Sequence, residues 1–569
     1  MNVVLCWHMH QPFYREGLHG KYHLPWVYLH GIKDYTDMAA HLENHPKMRS
    51  VVNFSPILLE QLDDYVKELD AFIKRKDLMS ISMSDPLLAL LTGVTNIPAE
   101  ITDRKKLVED CKRCYAPRMI DPYPAFKRLV DCLDDAFEKA GDEQHFPLIY
   151  MEDQYFIDLL VWYHLVWLGH SLRDHEIARR LFDKEYGYTL EDRYDLLTLI
   201  HESLAGIIPR YRKLAEEGRI ELSVTPYSHP IIPLLDDFEN MRCALPDAPL
   251  PECENYPDGY ERSHWQLQKG IEVFEHYFHR KPQGVWLSEG GISPDALHLL
   301  DQFDIRWTAS GEAVWHNTCQ RAGCNAEEMA NKKALFKPYQ YQDTNTRMFF
   351  RDDGLSDFIG FEYSHWNADD AAHHFVENLE NIVDFLGDDA DQQVVSIILD
   401  GENAWEYYLD NGYPFINALY SAMAASKRIN MTHFAASDKL PAVRVDQFCP
   451  GSWVYGSFST WIGDRDKNRA WECLVKAKKA YDQKMASGSL SVEKQNEARL
   501  QLAICEGSDW FWWFGDYNAS DSVSDFDSLF RTQLKLLYEL LEMEAPARLD
   551  EVISRGGGNA ENSGTMRRN

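Results

Sequence analysis

The chain has 569 residues, 45% hydrophobic and 26% charged, which is the composition of a folded protein too long for one small core, so two or three packed units are expected. Its 90 acidic against 58 basic residues leave a formal net charge of -32 at pH 7; this repels phosphate backbones and anionic bilayers and excludes nucleic acid and membrane as partners. No run of about 18 apolar residues is present, which excludes a membrane span, and 11 Cys scattered from Cys6 to Cys505 suit reduced thiols better than a disulfide framework.

The N-terminus enters an apolar run at once, without the basic segment and cleavage site of a signal peptide, so a cytoplasmic protein is expected. Short apolar runs ending in polar residues recur at 3–7, 51–54, 220–224, 284–287, 305–308, 348–350 and 394–399, and these read as buried parallel strands. Between the second and third, residues 57–200 are largely helical, which predicts an insertion over the mouth of the strand array, with a weak strand hidden near 79–83. Helical periodicity is clear at 156–167, through Phe156, Leu159, Leu160 and Tyr163, and at 271–278. Strand–helix alternation over roughly 400 residues implies an α/β barrel or a doubly wound sheet, expected as a catalytic unit over 1–410. Beyond that, helical segments at 414–426, 469–485, 491–505 and 528–543 predict a C-terminal α-helical domain over 411–550. The last of them carries Leu529, Phe530, Leu534, Leu537, Leu540 and Leu541 as a broad apolar stripe. The polar, Gly-rich end, 551–569, reads as a disordered tail.

The first strand ends in His8-Met9-His10-Gln11-Pro12. Alternate strand residues share a face, so His8 and His10 point together. They read as a metal pair, as neutral donors to sugar hydroxyls, or as two buried structural histidines. A metal demands further ligands at later strand ends. His229 and Asp400 could be recruited, but the ends at Glu289 and Arg351 add no His, and an arginine sits badly beside a dication. No metal or other cofactor is therefore expected. The lone Cys111-Lys112-Arg113-Cys114 pair has no second pair to complete a zinc site.

Two carboxylates stand where a strand runs into a loop, the usual place for catalytic groups in such folds. Glu289 follows 284–287 and precedes Gly290 and Gly291, which permit a tight turn. Asp400 follows Ile397-Ile398-Leu399 at a core boundary, where desolvation raises a carboxyl toward the needs of a general acid. Glycoside cleavage divides its work between two such groups. For isolated acids, capping a helix or pairing with arginine is the commoner explanation.

Five blocks stand in one order along the chain: His8-Met9-His10-Gln11-Pro12; Gly218-Arg219-Ile220-Glu221-Leu222 with Tyr227-Ser228-His229-Pro230-Ile231; Trp286-Leu287-Ser288-Glu289-Gly290; Leu399-Asp400-Gly401-Glu402-Asn403-Ala404-Trp405-Glu406; and Glu506-Gly507-Ser508-Asp509-Trp510. In these the chain resembles glycoside hydrolase family 57, from residue 1 to about 545. The resemblance implies an incomplete (β/α)7 barrel followed by an α-helical bundle, acting on α-glucans with retention at the anomeric carbon and without a metal. It places the nucleophile at Glu289, the acid/base at Asp400, and substrate contacts at His8, His10 and Trp510. His229, Arg351, Asp352, Glu402, Trp405, Trp453 and Asp509 are taken as further substrate contacts, with pairing of Arg351 and Asp352 to orient Asp400 as an alternative. Trp405, Trp453 and Trp510 are expected to stack on sugar rings, and Trp512 and Trp513 to be packing. Residues 400–405, 451–453 and 460–464 look like the α-amylase and amylopullulanase branch, whereas Asp353 stands where related sequences commonly carry His. The expected activity is α-amylase-like retaining hydrolysis of starch, glycogen or maltooligosaccharides, with cleavage of α-1,6 bonds as an additional capacity. A 4-α-glucanotransferase or branching enzyme would use the same pair, and a barrel metallohydrolase or a non-catalytic glucan-binding protein is a remote alternative.

Overall fold

The computed structural model describes residues 1–75, 83–141, 146–323, 327, 329 and 332–558. Its strands are β1 (Asn2–Met9), β2 (Ser50–Phe54), β3 (Ile220–Val224), β4 (Trp307–Ser310), β5 (Tyr339–Tyr341), β6 (Arg347–Phe350), β7 (Val394–Asp400), β8 (Asn430–Met431) and β9 (Val443–Val445). One sheet runs β3-β2-β1-β7, all parallel, with β8 also beside β1; the other runs β4-β6-β5-β9, parallel except for β5 against β6. Isolated bridges join the two: Val224 with Val285, Gly284 with Trp307, and Arg351 with Ser396. The fold is thus α/β, with parallel strands and much helix.

The apolar runs become strands because both of their faces are covered, the usual condition of parallel sheets. On one face Val4, Cys6, Val51, Trp286, Trp307, Ala309, Phe349, Val394 and Ile398 form a cluster of their own. On the other, Val3, Leu5, Trp7 and Met9 join the larger core shared with the helices. His8 and Asp400 lie two residues beyond Cys6 and Ile398, so they continue the first face. They are also direct partners in the β1–β7 register, while His8 faces Asn53 across β1–β2.

Residues 284–287, expected as a strand, pair only through the two bridges at Gly284 and Val285. The run is cut short because the turn Ser288–Gly290 begins directly after it. Gly284 itself leaves room for the Trp307 ring, which a Cβ would meet at 1.9 Å.

The helices expected at 156–167 and 271–278 fall within Asp153–Val166 and Gly259–Phe278. The insertion over 57–200 is helical, from Pro56–Arg75 to Leu190–Glu216. Of the strand expected near 79–83, residues 79–82 lie outside the described residues, and Met83 is not in a strand. Tyr413–Ala425, Arg465–Ala486, Val492–Cys505 and Ser520–Leu540 match the later helices. That region is not wholly helical, however, since β8 pairs with β1 and β9 with β5 across the boundary expected near 410. Strands of two and three residues carry too little periodicity to be read from sequence. The stretch expected as a tail from 551 is instead folded through 558. Ile553 and Ser554 are buried and donate backbone N–H groups to Asp527 Oδ1, and Gly557 and Gly558 donate to the Asn518 carbonyl. Among the described residues, no helix is long and apolar enough to cross a membrane.

The C-terminal helices are fastened by a buried ion pair. Glu506, with no exposed side-chain surface, accepts from Arg262 Nε (2.7 Å) and Nη2 (2.9 Å), Tyr256 OH (2.6 Å) and Gln266 Nε2 (2.7 Å). Arg262→Ala leaves a buried carboxylate without its cation and is expected to cost about 3–5 kcal/mol. A urea denaturation midpoint equal to that of the wild type would contradict this.

Candidate active site

The polar ends of β1, β2 and β3 and the turns that follow them meet at one end of the first sheet. His8 Nδ1 lies 2.6 Å from Asn53 Oδ1, an acceptor, so this nitrogen carries the proton and Nε2 presents a lone pair. That lone pair faces His229 Nε2 at 3.2 Å, and His229 Nδ1 meets the Ser508 hydroxyl at 2.9 Å. His10 joins Ser55 Oγ through Nδ1 and Asp509 Oδ1 through Nε2, both at 2.9 Å. Burial, and then the neighbouring His10, pushes His8 down to about 3 and His229 well below the usual imidazole range. Both rings are therefore neutral near pH 7 and suited to sugar hydroxyls.

His10, His229 and Asp509 also bring ligand atoms within 4.8 Å of one another. The His10 and His229 rings, however, are stacked, 3.7 Å apart and 13° from parallel. An imidazole lone pair lies in the plane of its ring, so two parallel planes at that spacing do not meet on one ion. The set fits a hydrogen-bonded network rather than a coordination shell.

Glu289 sits in the left-handed region at φ 58°, followed by Gly290 at φ 57°. A non-glycine residue held there carries local strain, a common feature of functional turns. Two bonds from Trp453 hold it: the backbone N–H donates to the Glu289 carbonyl at 3.1 Å, and the indole N–H donates to Oε2 at 2.9 Å. The Trp453 ring lies edge-on to Trp286, with centroids 5.0 Å apart, and the Arg351 guanidinium stands 5.6 Å from the Trp453 centroid.

Asp400 keeps part of its surface open to solvent, and Asn403 donates to its Oδ2 at 2.8 Å. Desolvation by the surrounding protein raises its pKa above the ordinary carboxylate value, opposed by the Asn403 bond, His10 and Arg351. Glu289 and Asp400 thus both stand at the ends of parallel strands; Trp453 holds the first, and the charge of Arg351, which lies against the Trp453 ring, acts on the second.

Several expected contacts take other places. Arg351 donates to the Ile398 carbonyl and pairs with Asp353 (2.6 Å) and Asp357 (2.7 Å), not with Asp352. Asp352 is committed instead to capping the short helix Asp353–Asp357, accepting from Leu355 N at 2.8 Å. Asp353, with Asp357, thus supplies the counter-charge of Arg351. Glu402 is buried, and burial, then Asp400, drives its carboxyl well up. Its Oε1 accepts from Gln11 at 3.4 Å, so it ties the loop after β7 to the loop after β1 rather than facing the cleft. Trp405 is sealed against Trp7, its N–H donating to the Gly401 carbonyl. Trp510 is sealed against Phe526 and Phe530, its N–H donating to the Ile504 carbonyl. Neither offers a ring face to a sugar, which corrects the stacking expected of them. Trp453 alone of the three stays half-buried beside a candidate acid. Trp513 stacks on Phe526 at 4.9 Å, as packing. The sequence reading missed Asn53, Ser55, Asn403 and Ser508. Asn53 carried a usable signal, a polar residue near the end of an apolar run; Ser508 stood in a family-like block, but nothing local pointed to its partner, 279 residues away.

Among solved structures, the chain is similar to a GH57-type branching enzyme from Pyrococcus horikoshii (16% identity over 99% of this chain and 98% of that one, TM-score 0.56). It is also similar to a GH57 branching enzyme from Thermococcus kodakaraensis (15%, 97% and 93%, TM-score 0.57) and to the α-amylase AmyC from Thermotoga maritima (13%, 95% and 95%, TM-score 0.54). At these identities the likeness is one of fold. No curated protein sequence matches. The family model described as Glycosyl hydrolase family 57 matches residues 4–443, well over half of the chain and both acids at the strand ends, so the chain belongs to glycosyl hydrolase family 57.

Proposed function

We propose that the protein is a retaining α-glucan hydrolase acting on starch, glycogen or maltooligosaccharides, with Glu289 as nucleophile and Asp400 as general acid/base. The observation that carries this reading is the pair of partly open acids on one end of the strands, in contrasting surroundings. Glu289 accepts the Trp453 indole hydrogen bond at Oε2. Asp400 is desolvated, which favours its protonated form. Such a contrast separates nucleophile from acid.

In the first step Asp400 gives its proton to the glycosidic oxygen as Glu289 attacks the anomeric carbon. In the second, Asp400 takes a proton from water, which displaces Glu289 and restores the original configuration. Retaining enzymes hold the two carboxyls about 5–5.5 Å apart. His8, His10 and His229 hydrogen-bond the hydroxyls of the sugar nearest Glu289, and Asp509 and Ser508 orient the last two rings.

The bridges at Val285, Trp307 and Arg351 support an incomplete (β/α)7 barrel over about 1–410, built from β1, β2, β3, residues 284–287, β4, β6 and β7. The helices Arg465–Ala486, Val492–Cys505 and Ser520–Leu540 support a helical bundle after it. The names of the similar structures, branching enzyme and α-amylase, support α-glucan as the substrate class. Hydrolysis is favoured by the likeness of residues 400–405 and 451–453 to the α-amylase branch.

Maltotriose and soluble starch test the reading together. Only glucose and maltose from maltotriose, with rising reducing ends from starch, are expected. Products longer than maltotriose would assign glucanyl transfer by the same pair, and no change in either substrate would overturn both activities.

A further inference from the structure

Two cysteines 206 residues apart in sequence come into contact. Cys243, exposed, lies in the helix Asn240–Ala244; Cys449, buried, lies in the segment after β9. Cys449 Sγ is 3.6 Å from the Cys243 carbonyl oxygen. A carbonyl oxygen is about 2.4 Å from its own Cα, which puts the Cys449 sulfur within about 6 Å of the Cys243 Cα. Arg321, on the helix Glu312–Ala322, contacts both thiols. Burial, and then Cys243, raises the Cys449 thiol above its ordinary value, and Arg321 opposes them.

The chain just past Cys449 is the strap that fastens Glu289. Gly451 exchanges two backbone hydrogen bonds with Ile292, at 2.9 and 3.2 Å, and Trp453 then makes its two bonds to Glu289. A link at Cys449 therefore anchors this strap to the helix Asn240–Ala244.

We propose that Cys243 and Cys449 form a reversible, peroxide-responsive disulfide. The exposed Cys243 attacks hydrogen peroxide: an S–O bond forms, the O–O bond breaks, and one water leaves with the proton of the thiol. Cys449 then attacks the resulting sulfenic acid: the S–S bond forms, the S–O bond breaks, and a second water leaves. Two thiols and one peroxide give one disulfide and two waters; the sulfurs are oxidised by two electrons and the peroxide is reduced. A dithiol reverses the link.

The test uses the reduced full chain and hydrogen peroxide. Peptide mapping is expected to yield one crosslinked peptide containing Cys243 and Cys449, removed by dithiothreitol, and the oxidised protein melts at a higher temperature because its unfolded state is tethered. Cys449→Ser is expected to stop at a sulfenic acid on Cys243 that dimedone captures. Absence of the Cys243–Cys449 peptide from oxidised wild type overturns the proposal.

Discussion

Glu289→Gln is expected to lower the turnover of maltooligosaccharides by roughly 10³-fold or more, because an amide does not form the glycosyl ester through which the reaction passes. The substitution is nearly isosteric, and the glutamine carbonyl still accepts the Trp453 indole N–H that Oε2 accepts in the wild type. The strained turn at φ 58° therefore keeps its support, and the thermal melt is expected to stay within about a degree or two of the wild type. Initial rates on maltopentaose beside a melting curve separate chemistry from folding. A variant that keeps wild-type rates removes Glu289 from the mechanism, whatever the shape of the cleft.

Asp400→Asn comes next in size, with an expected loss of about 10²–10⁴-fold on maltooligosaccharides, the range for removal of a general acid. Its pH dependence gives a sharper readout than the rate. Burial raises the pKa of Asp400, so the protonated, proton-donating form persists to higher pH than in a free carboxyl. Activity that depends on it holds below that raised pKa and falls as pH rises through it, which is the basic limb of the kcat/KM profile. Asparagine has no proton to lose, so the basic limb is expected to vanish in the variant. Glucosides with aryl leaving groups, which need no proton to depart, are expected to lose far less in the first step. A basic limb that persists in Asp400→Asn would assign it to another group and leave Asp400 without its role.

Strand ends were the most legible part of this chain. Apolar runs that stop at a polar residue located β1, β2, β3, β4, β6 and β7 to within a few residues, and with them His8 and Asp400, because burial on both faces leaves the same mark wherever it occurs. The run ending at Glu289 was legible as a chemical position but not as a strand, since its pairing is reduced to two bridges by a turn that follows from Glu289 and Gly290 adopting positive φ. The short β5, β8 and β9 left no mark, because two or three residues do not define a period. The long helices were readable from the spacing of their apolar residues.

Residue type alone did not sort the tryptophans. Trp405, Trp453 and Trp510 all stand in blocks that resemble the family, yet Trp7 closes over the first and Phe526 and Phe530 over the third. Only Trp453 reaches an acid, and what separates them is the packing of segments far away in the chain. Arg351 makes the same point at close range. Its neighbour Asp352 is turned away to cap a helix, so the counter-charge falls to Asp353 and Asp357.

The sequence by itself therefore determined the class of fold and the strand-end positions of the two candidate acids and the histidine pair, because a strand's hydrophobic pattern and the polar residue ending it are local properties. Tertiary structure alone decided which groups face those residues. Asp509 reaches His10 across 499 positions, Ser508 reaches His229 across 279, and Cys449 reaches Cys243 across 206. Contacts of that separation depend on how the helices dock on the strands, and docking leaves no periodic trace in the chain.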